Sequence, residues 1–361
     1  MLDMIGEGNI AALIGAAGGI MLGLAARLGR FCTLGAIEDH LYGASNGRLG
    51  MWVAAIGVAV LGSFALIGAG LVDPGAIFYL AQAWSPVAVI LGGLMFGYGM
   101  ALAGNCGYGA VARLGGGDLR NFVIVVVMGL AAYFTLSGPL GLMREALFPT
   151  RPVEGTPLGI AQLAAEASGL PATAIGLVLG LALLGAALSI GELREDRRAL
   201  GWSVAVGLSV VIAWAGMSWL ARTGFDAIPP ASHSFAAPVG ETMLYAMTAS
   251  GQSLSFGIGS VAGVWLGAFV GSLWKGHFRW EACEDPRELR RQILGAALMG
   301  VGAVLALGCS IGQGLSAMSL LALSAPLALG GIYVGARLGL RQVVEGRLLG
   351  LGPDWSRDTG A

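Results

Sequence analysis

Apolar stretches of about 17–24 residues recur along this chain, the length a helix needs to cross a bilayer core. They lack the strict alternation of barrel strands and run too long to be such strands, so the chain reads as an all-α integral membrane protein. With 56% hydrophobic and 11% charged residues, and a mean hydropathy of +0.78, 361 residues carry too little charge to clothe a water-soluble surface. Nine spans are expected, at 9–28, 50–71, 86–104, 119–141, 171–190, 200–221, 252–274, 291–307 and 322–339. The first has neither a basic leader nor a small-residue cleavage site and reads as a retained helix. No nucleic-acid patch, phosphate-cradling loop or His/Cys zinc pattern is visible, and no cofactor or metal is expected. The net charge of −1 points to no partner beyond the lipid bilayer itself.

The basic residues give an orientation. With nine spans, seventeen of the twenty Lys and Arg residues fall on one face, and only Arg144, Arg151 and Arg222 on the other. That bias makes the first face cytoplasmic, with the N-terminus outside and the C-terminus inside a bacterial inner membrane.

Glycine, at 62 residues, clusters where apolar stretches end. Semi-polar, glycine-bearing pieces near 31–44, 105–117, 233–247 and 308–320 are too short to span and too apolar for surface loops. They suit broken or re-entrant helices, which membrane depth tolerates only inside protein or along a cavity. The chain also resembles itself. Gly92, Gly97, Gly99, Cys106 and Gly109 all recur 203 residues later, as do Leu41-Tyr42 at Leu244-Tyr245 and Glu38 at Glu241. The expected organisation is a half over 9–143, a linker over 144–199 holding one transmembrane helix, an inverted half over 200–342 and a cytoplasmic tail over 343–361. Inverted repeats whose broken helices meet near the midplane are typical of secondary transporters.

Three of four cysteines lie in the interrupted pieces: Cys32 in Phe31-Cys32-Thr33-Leu34-Gly35-Ala36, Cys106 in Gly104-Asn105-Cys106-Gly107-Tyr108-Gly109, and Cys309 in Gly308-Cys309-Ser310-Ile311-Gly312-Gln313-Gly314. Cys283 sits among Glu281, Glu284 and Asp285 and reads as an incidental surface thiol. A single buried cysteine is ordinarily a small hydrophobe that packs well. Three beside glycine-rich breaks point further, because a short helix starting there offers orphan N–H donors and partial positive charge to an anion. A thiol beside it adds a weak, polarizable donor. That pairing suits transient handling of a soft, sulfur-bearing anion. Soft thiolates also select copper(I) or zinc, but no CxxC pair exists and His40 and His233 lie at unknown depth. Supporting candidates are Asn105, Gly107, Gly109, Ser310 and Gln313, with Arg113 either attracting anions or anchoring a helix end. Glu38 and Glu241 are either functional groups at membrane depth or interfacial caps. The run Gly191 to Arg198 reads as a solvated turn.

The three cysteine segments, with Arg113-Leu114-Gly115-Gly116-Gly117 and Gln313-Gly314-Leu315, resemble the YeeE/YedE-like sulfur-transport membrane proteins over about residues 10 to 340. The resemblance implies a nine-helix, hourglass-like protein with re-entrant loops meeting at its centre. It implies thiosulfate uptake, the anion passing by hydrogen bonds to three thiols that here would be Cys32, Cys106 and Cys309. It further implies a TusA-like cytoplasmic sulfur carrier docking on the basic face, and relatives that move selenium compounds or other sulfur species. Different classes of function stay open: a membrane sulfurtransferase forming a cysteine persulfide, which would need a thiol beside a base or cation, and a non-transporting assembly or sensor protein. The reading favoured is a transporter, not an enzyme. The linker 144–170 and the Pro229-Pro230 stretch before His233 have no account at this level.

Overall fold

The computed structural model describes residues 6–346, apart from 154, 156, 283 and 284. Cys283 and the tail beyond 346 therefore lie outside the described residues. The chain is a multi-pass helical membrane protein. Its long helices are α1 (Glu7–Leu28), α3 (Gly47–Gly68), α4 (Pro86–Ala103), α6 (Arg120–Leu136), α9 (Ala172–Ser189), α10 (Arg197–Thr223), α12 (Phe256–Trp274), α13 (Pro286–Leu305) and α14 (Ser324–Glu345). Shorter helices are α2 (Thr33–Leu41), α5 (Gly107–Gly115), α7 (Pro139–Leu147), α8 (Ile160–Ser168) and α11 (Ala236–Thr248).

By length and apolarity, six helices qualify as membrane spans, or seven if the bent pair α6–α7 counts as one. The nine spans expected from the sequence exceed that number for physical reasons. α6 has only 17 residues, and the first turns of α13 carry Arg287, Glu288, Arg290 and Arg291. Two of the qualifying spans are composite, α1 with α2 and α4 with α5, each interrupted at a cysteine.

Small residues bring the long helices into backbone contact. α1 lies on α12 with Gly15, Gly19 and Gly23 opposed by Phe256, Ser260 and Val264, and Gly259, Gly263 and Gly267 opposed by Ala12, Ala16 and Ile20. α4 meets α14 through Gly93, Gly97, Gly331 and Gly335, and α13 through Gly92, Gly99, Gly295 and Gly302. Such seams replace the hydrophobic drive that is missing between helices in lipid. Lys275 Nζ closes the end of α1 on the carbonyls of Arg27 and Leu28, both at 3.3 Å.

The linker is folded. β1 (Gln82–Ala83) pairs antiparallel with β2 (Arg151–Pro152). Leu158 N donates to Leu80 O, Ile160 N to Leu321 O and Leu323 N to Leu158 O, so this segment clamps the chain just before α14. Gly191 to Glu195, within the run read as a solvated turn, form a short helical turn with only Leu193 buried.

Candidate functional site

All four semi-polar pieces of the sequence form short helical segments, and three of them begin at a cysteine. α1 ends at Leu28, Arg30 adopts a left-handed φ of 56°, and Cys32 caps α2, its Sγ accepting from Gly35 N at 3.5 Å. α4 ends at Ala103, Gly104 takes φ 79°, and Cys106 caps α5 by accepting from Gly109 N at 3.4 Å. α13 ends at Leu305, Leu307 takes φ 60°, and Cys309 Sγ accepts from Gly312 N at 3.5 Å at the start of a segment that runs into a π-helix over Gly312–Ala317. One rule builds all three breaks: a left-handed residue stops the incoming helix, and the cysteine two positions later caps the outgoing one.

The three starts converge. Thr33 Oγ1 donates to Ser310 Oγ at 3.1 Å and lies 3.9 Å from Cys106 Sγ. Phe235 N, at the threshold of α11, donates to Cys309 Sγ at 3.3 Å, and Ser234 Oγ lies 3.8 Å from that sulfur. Phe235 stands 203 residues after Cys32, where a fourth thiol would complete the pattern. Cys106 is fully buried, Cys309 nearly so and Cys32 half-buried; all three are free thiols. Aromatic pairs flank the junction, Phe31 stacked on Trp52 at 4.8 Å and Tyr108 tilted against Phe235 at 5.5 Å, with Tyr108 Oη anchored on Leu22 O at 2.6 Å.

Two cavities approach the junction from opposite ends. One, of about 310 Å³, is lined by Cys32, Gly109, Glu38, Arg27, Arg48 and Arg113, with Arg30 at its edge. The Arg48–Asp39 ion pair at 3.1 Å stands beside it. The other, of about 210 Å³, is lined by Ser234, Gly308, Leu307, Phe78, Leu136 and Arg144. Leu136, on the lining of the second cavity, ends α6. Tyr79 Oη overhangs Gly312 beside Ser234 on the second side. Tyr79 is half-buried, and a phenol hydroxyl is protonated near neutral pH.

The other candidates divide. Gly109 supplies the capping N–H of Cys106, and Arg113 and Glu38 line the Arg-rich cavity. Ser310 bridges to Thr33. Gly107 packs under the tip of the Met128 side chain, which an added Cβ would have to displace. Asn105 gives one amide N–H to Asn121 Oδ1 at 2.5 Å, and its own Oδ1 is buried without a partner among the described residues. Gln313 braces the break, donating to Ala306 O at 2.8 Å and accepting from Ser324 Oγ at 3.3 Å. It does so because backbone at membrane depth needs partners from protein. Glu241 is not brought to the thiols; it lines a separate cavity with Asp226. His40 is exposed and pairs with Asn46, while buried His233 is hydrogen-bonded through Nδ1 to Ser260 Oγ at 2.7 Å.

Thr33, Ser234, Tyr79 and the arginines Arg27, Arg30 and Arg48 were not singled out from sequence. A signal existed for one of them: Thr33 and Ser310 each directly follow a cysteine, so two of the three breaks carry a thiol–hydroxyl pair. For Ser234 and Tyr79 the signal is purely tertiary.

The family described as sulphur transport matches residues 28–338, a range holding every cysteine break described above. Over 319 residues the chain is 29% identical to the thiosulfate transporter TsuA of Escherichia coli (strain K12), covering 82% of this chain and 84% of that one. Over 323 residues it is 28% identical to the thiosulfate transporter TsuA of Spirochaeta thermophila, covering 86% and 92%. On the extent of that match, the chain belongs to the sulphur transport family, that of the YeeE/YedE-like membrane proteins.

Proposed function

We propose that the protein imports thiosulfate across the bacterial inner membrane, handing the dianion from Cys309 past Cys106 to Cys32 by S–H hydrogen bonds. One observation carries the reading: three free thiols, each fixed by backbone N–H donors at a helix start, meet at one hydroxyl-bridged junction. A sulfur that already accepts an N–H keeps its own proton to offer. The aligned starts of the short helices add partial positive charge without a buried cation. Weak, repeated donors let an anion leave as readily as it enters. The two relatives named as thiosulfate transporters support the substrate.

On this reading α6, α13 and α14 also cross, giving nine crossings in two inverted halves. The Arg-rich cavity then opens to the cytoplasm and the Arg144 cavity to the outside. Glu38, among Arg27, Arg48 and Arg113, moderates the field at the inner mouth, and a TusA-like carrier would collect the sulfur there. Other small sulfur or selenium anions suit the same donors and compete for them. A persulfide-forming sulfurtransferase gains little support, since the hydrogen-bond partners of the three sulfurs among the described residues are backbone N–H and hydroxyl groups.

The test is uptake of sulfur-labelled thiosulfate into proteoliposomes. Cys106→Ala removes a donor from the buried centre of the path and is expected to slow uptake at least about tenfold, the worth of one hydrogen bond to a charged group. Normal uptake in alanine variants of all three thiols would keep the importer and remove the relay. No uptake by the wild type would remove thiosulfate.

A further inference from the structure

Three basic residues occupy the Arg-poor face, and two of them are structurally occupied. Arg222 donates from Nε to Ser218 O at 3.2 Å and from Nη1 to Gly70 O at 3.0 Å, closing helix ends. Arg151 is exposed in β2, paired with Ala83.

Arg144 differs. It rides on α7, which bends by 56° from α6, and its side chain is only 19% exposed. Its Nη2 meets Glu145 at 3.2 Å, but its Nε is buried and has no partner among the described residues. The guanidinium lines the cavity of about 210 Å³ that ends at Ser234 and Gly308, the residues flanking Cys309. On the other side of Arg144 a second space is lined by Trp84, whose indole Nε1 is likewise buried and unpartnered. Buried N–H groups left unpaired are costly, a charged one most of all. Arginine on this face also runs against the distribution of every other basic residue but two. A ligand supplying negatively charged acceptors resolves both facts.

We infer that Arg144 is the capture residue of the outer mouth, holding a doubly charged oxyanion by its planar fork before the anion passes Ser234 to Cys309. This rests on the import reading and deepens it. The thiols and hydroxyls of the junction are neutral donors and discriminate charge weakly, whereas a guanidinium selects carboxylate- and phosphate-like oxygen geometry. Charge selection is thus placed at the mouth, and thiol contact at the centre.

Two measurements test it: equilibrium binding of labelled thiosulfate to the purified protein, and uptake into vesicles of known orientation. Arg144→Gln is expected to raise both Kd and KM about tenfold or more, as loss of a charge-assisted contact predicts, while the limiting rate is kept. Arg144→Lys, which keeps charge but not the fork, should fall between. Should Arg144→Gln fail to fold, wild-type Kd and KM in Arg144→Lys would overturn the inference by themselves. Unchanged constants in Arg144→Gln overturn capture and leave import standing. Arg144-dependent binding without any uptake keeps capture and removes import. Neither binding nor uptake by the wild type overturns both.

Discussion

At the scale of single residues, the informative feature is the left-handed position two residues before each thiol. A left-handed backbone costs an L side chain roughly 1–2 kcal/mol, and only glycine escapes it. Arg30 and Leu307 accept that cost, while Gly104 does not incur it. Gly104→Ala should therefore lower stability by about 1 kcal/mol, although an added Cβ would meet nothing within 4 Å. Gly330→Ala, at an equally open position within α14, should be neutral or stabilising. Thermal unfolding of the two variants in detergent checks the difference; equal shifts would show that Gly104 carries no conformational demand. The same positions explain what the sequence could and could not reveal. Cysteine beside glycine marked all three thiols, yet only one of the three stopping residues is a glycine, so the shared geometry of the breaks was illegible. The hydrogen bonds of Asn105 to Asn121 and of Gln313 to Ala306 became visible only in three dimensions.

At the scale of elements, the short helices were legible because glycine-rich, semi-polar pieces of that length have few other uses at membrane depth. What holds their neighbours was not. The N-terminus of α3 is capped from far along the chain: Glu192 accepts from Ser45 Oγ at 2.7 Å, Gly47 N at 2.7 Å and Asn46 N at 3.0 Å. A run read as a solvated turn thus carries the cap for a helix start whose own Asn46 side chain is turned to His40. The Ser45 hydroxyl first, and then the backbone N–H groups of Gly47 and Asn46, hold the Glu192 carboxyl below the usual carboxylate range. A depressed folded pKa means stabilisation that is full above the unfolded pKa and lost as pH falls through the folded one. Glu192→Gln should accordingly unfold at lower temperature than the wild type near neutral pH. The gap should close on acidification below the carboxylate range. A gap constant with pH would mean that the charge contributes nothing to this cap.

At the scale of the whole molecule, the question is what drives a dianion into a cell whose interior is negative. Two charges crossing 100 mV cost about 4–5 kcal/mol, far more than a few neutral hydrogen bonds recover along the way. The junction between the cavities is formed by cysteine, threonine, serine, glycine and aromatic side chains. The nearer carboxylate, Glu38, lies at the Arg-rich mouth, and Glu241 stands in a separate cavity. Among the described residues that touch the three sulfurs, none is a carboxylate that could carry a proton or sodium ion with the anion. The import reading then predicts unaccompanied, electrogenic movement, pulled by consumption of thiosulfate inside the cell. In proteoliposomes clamped with potassium and valinomycin, an inside-positive potential should accelerate initial uptake and an inside-negative one should slow it. Because the charge is double, the two directions should separate by more than about tenfold per 100 mV if most of the field falls across the junction. Uptake indifferent to potential would require a compensating cation, and the acidic cavity of Asp226 and Glu241 would be the place to seek its route.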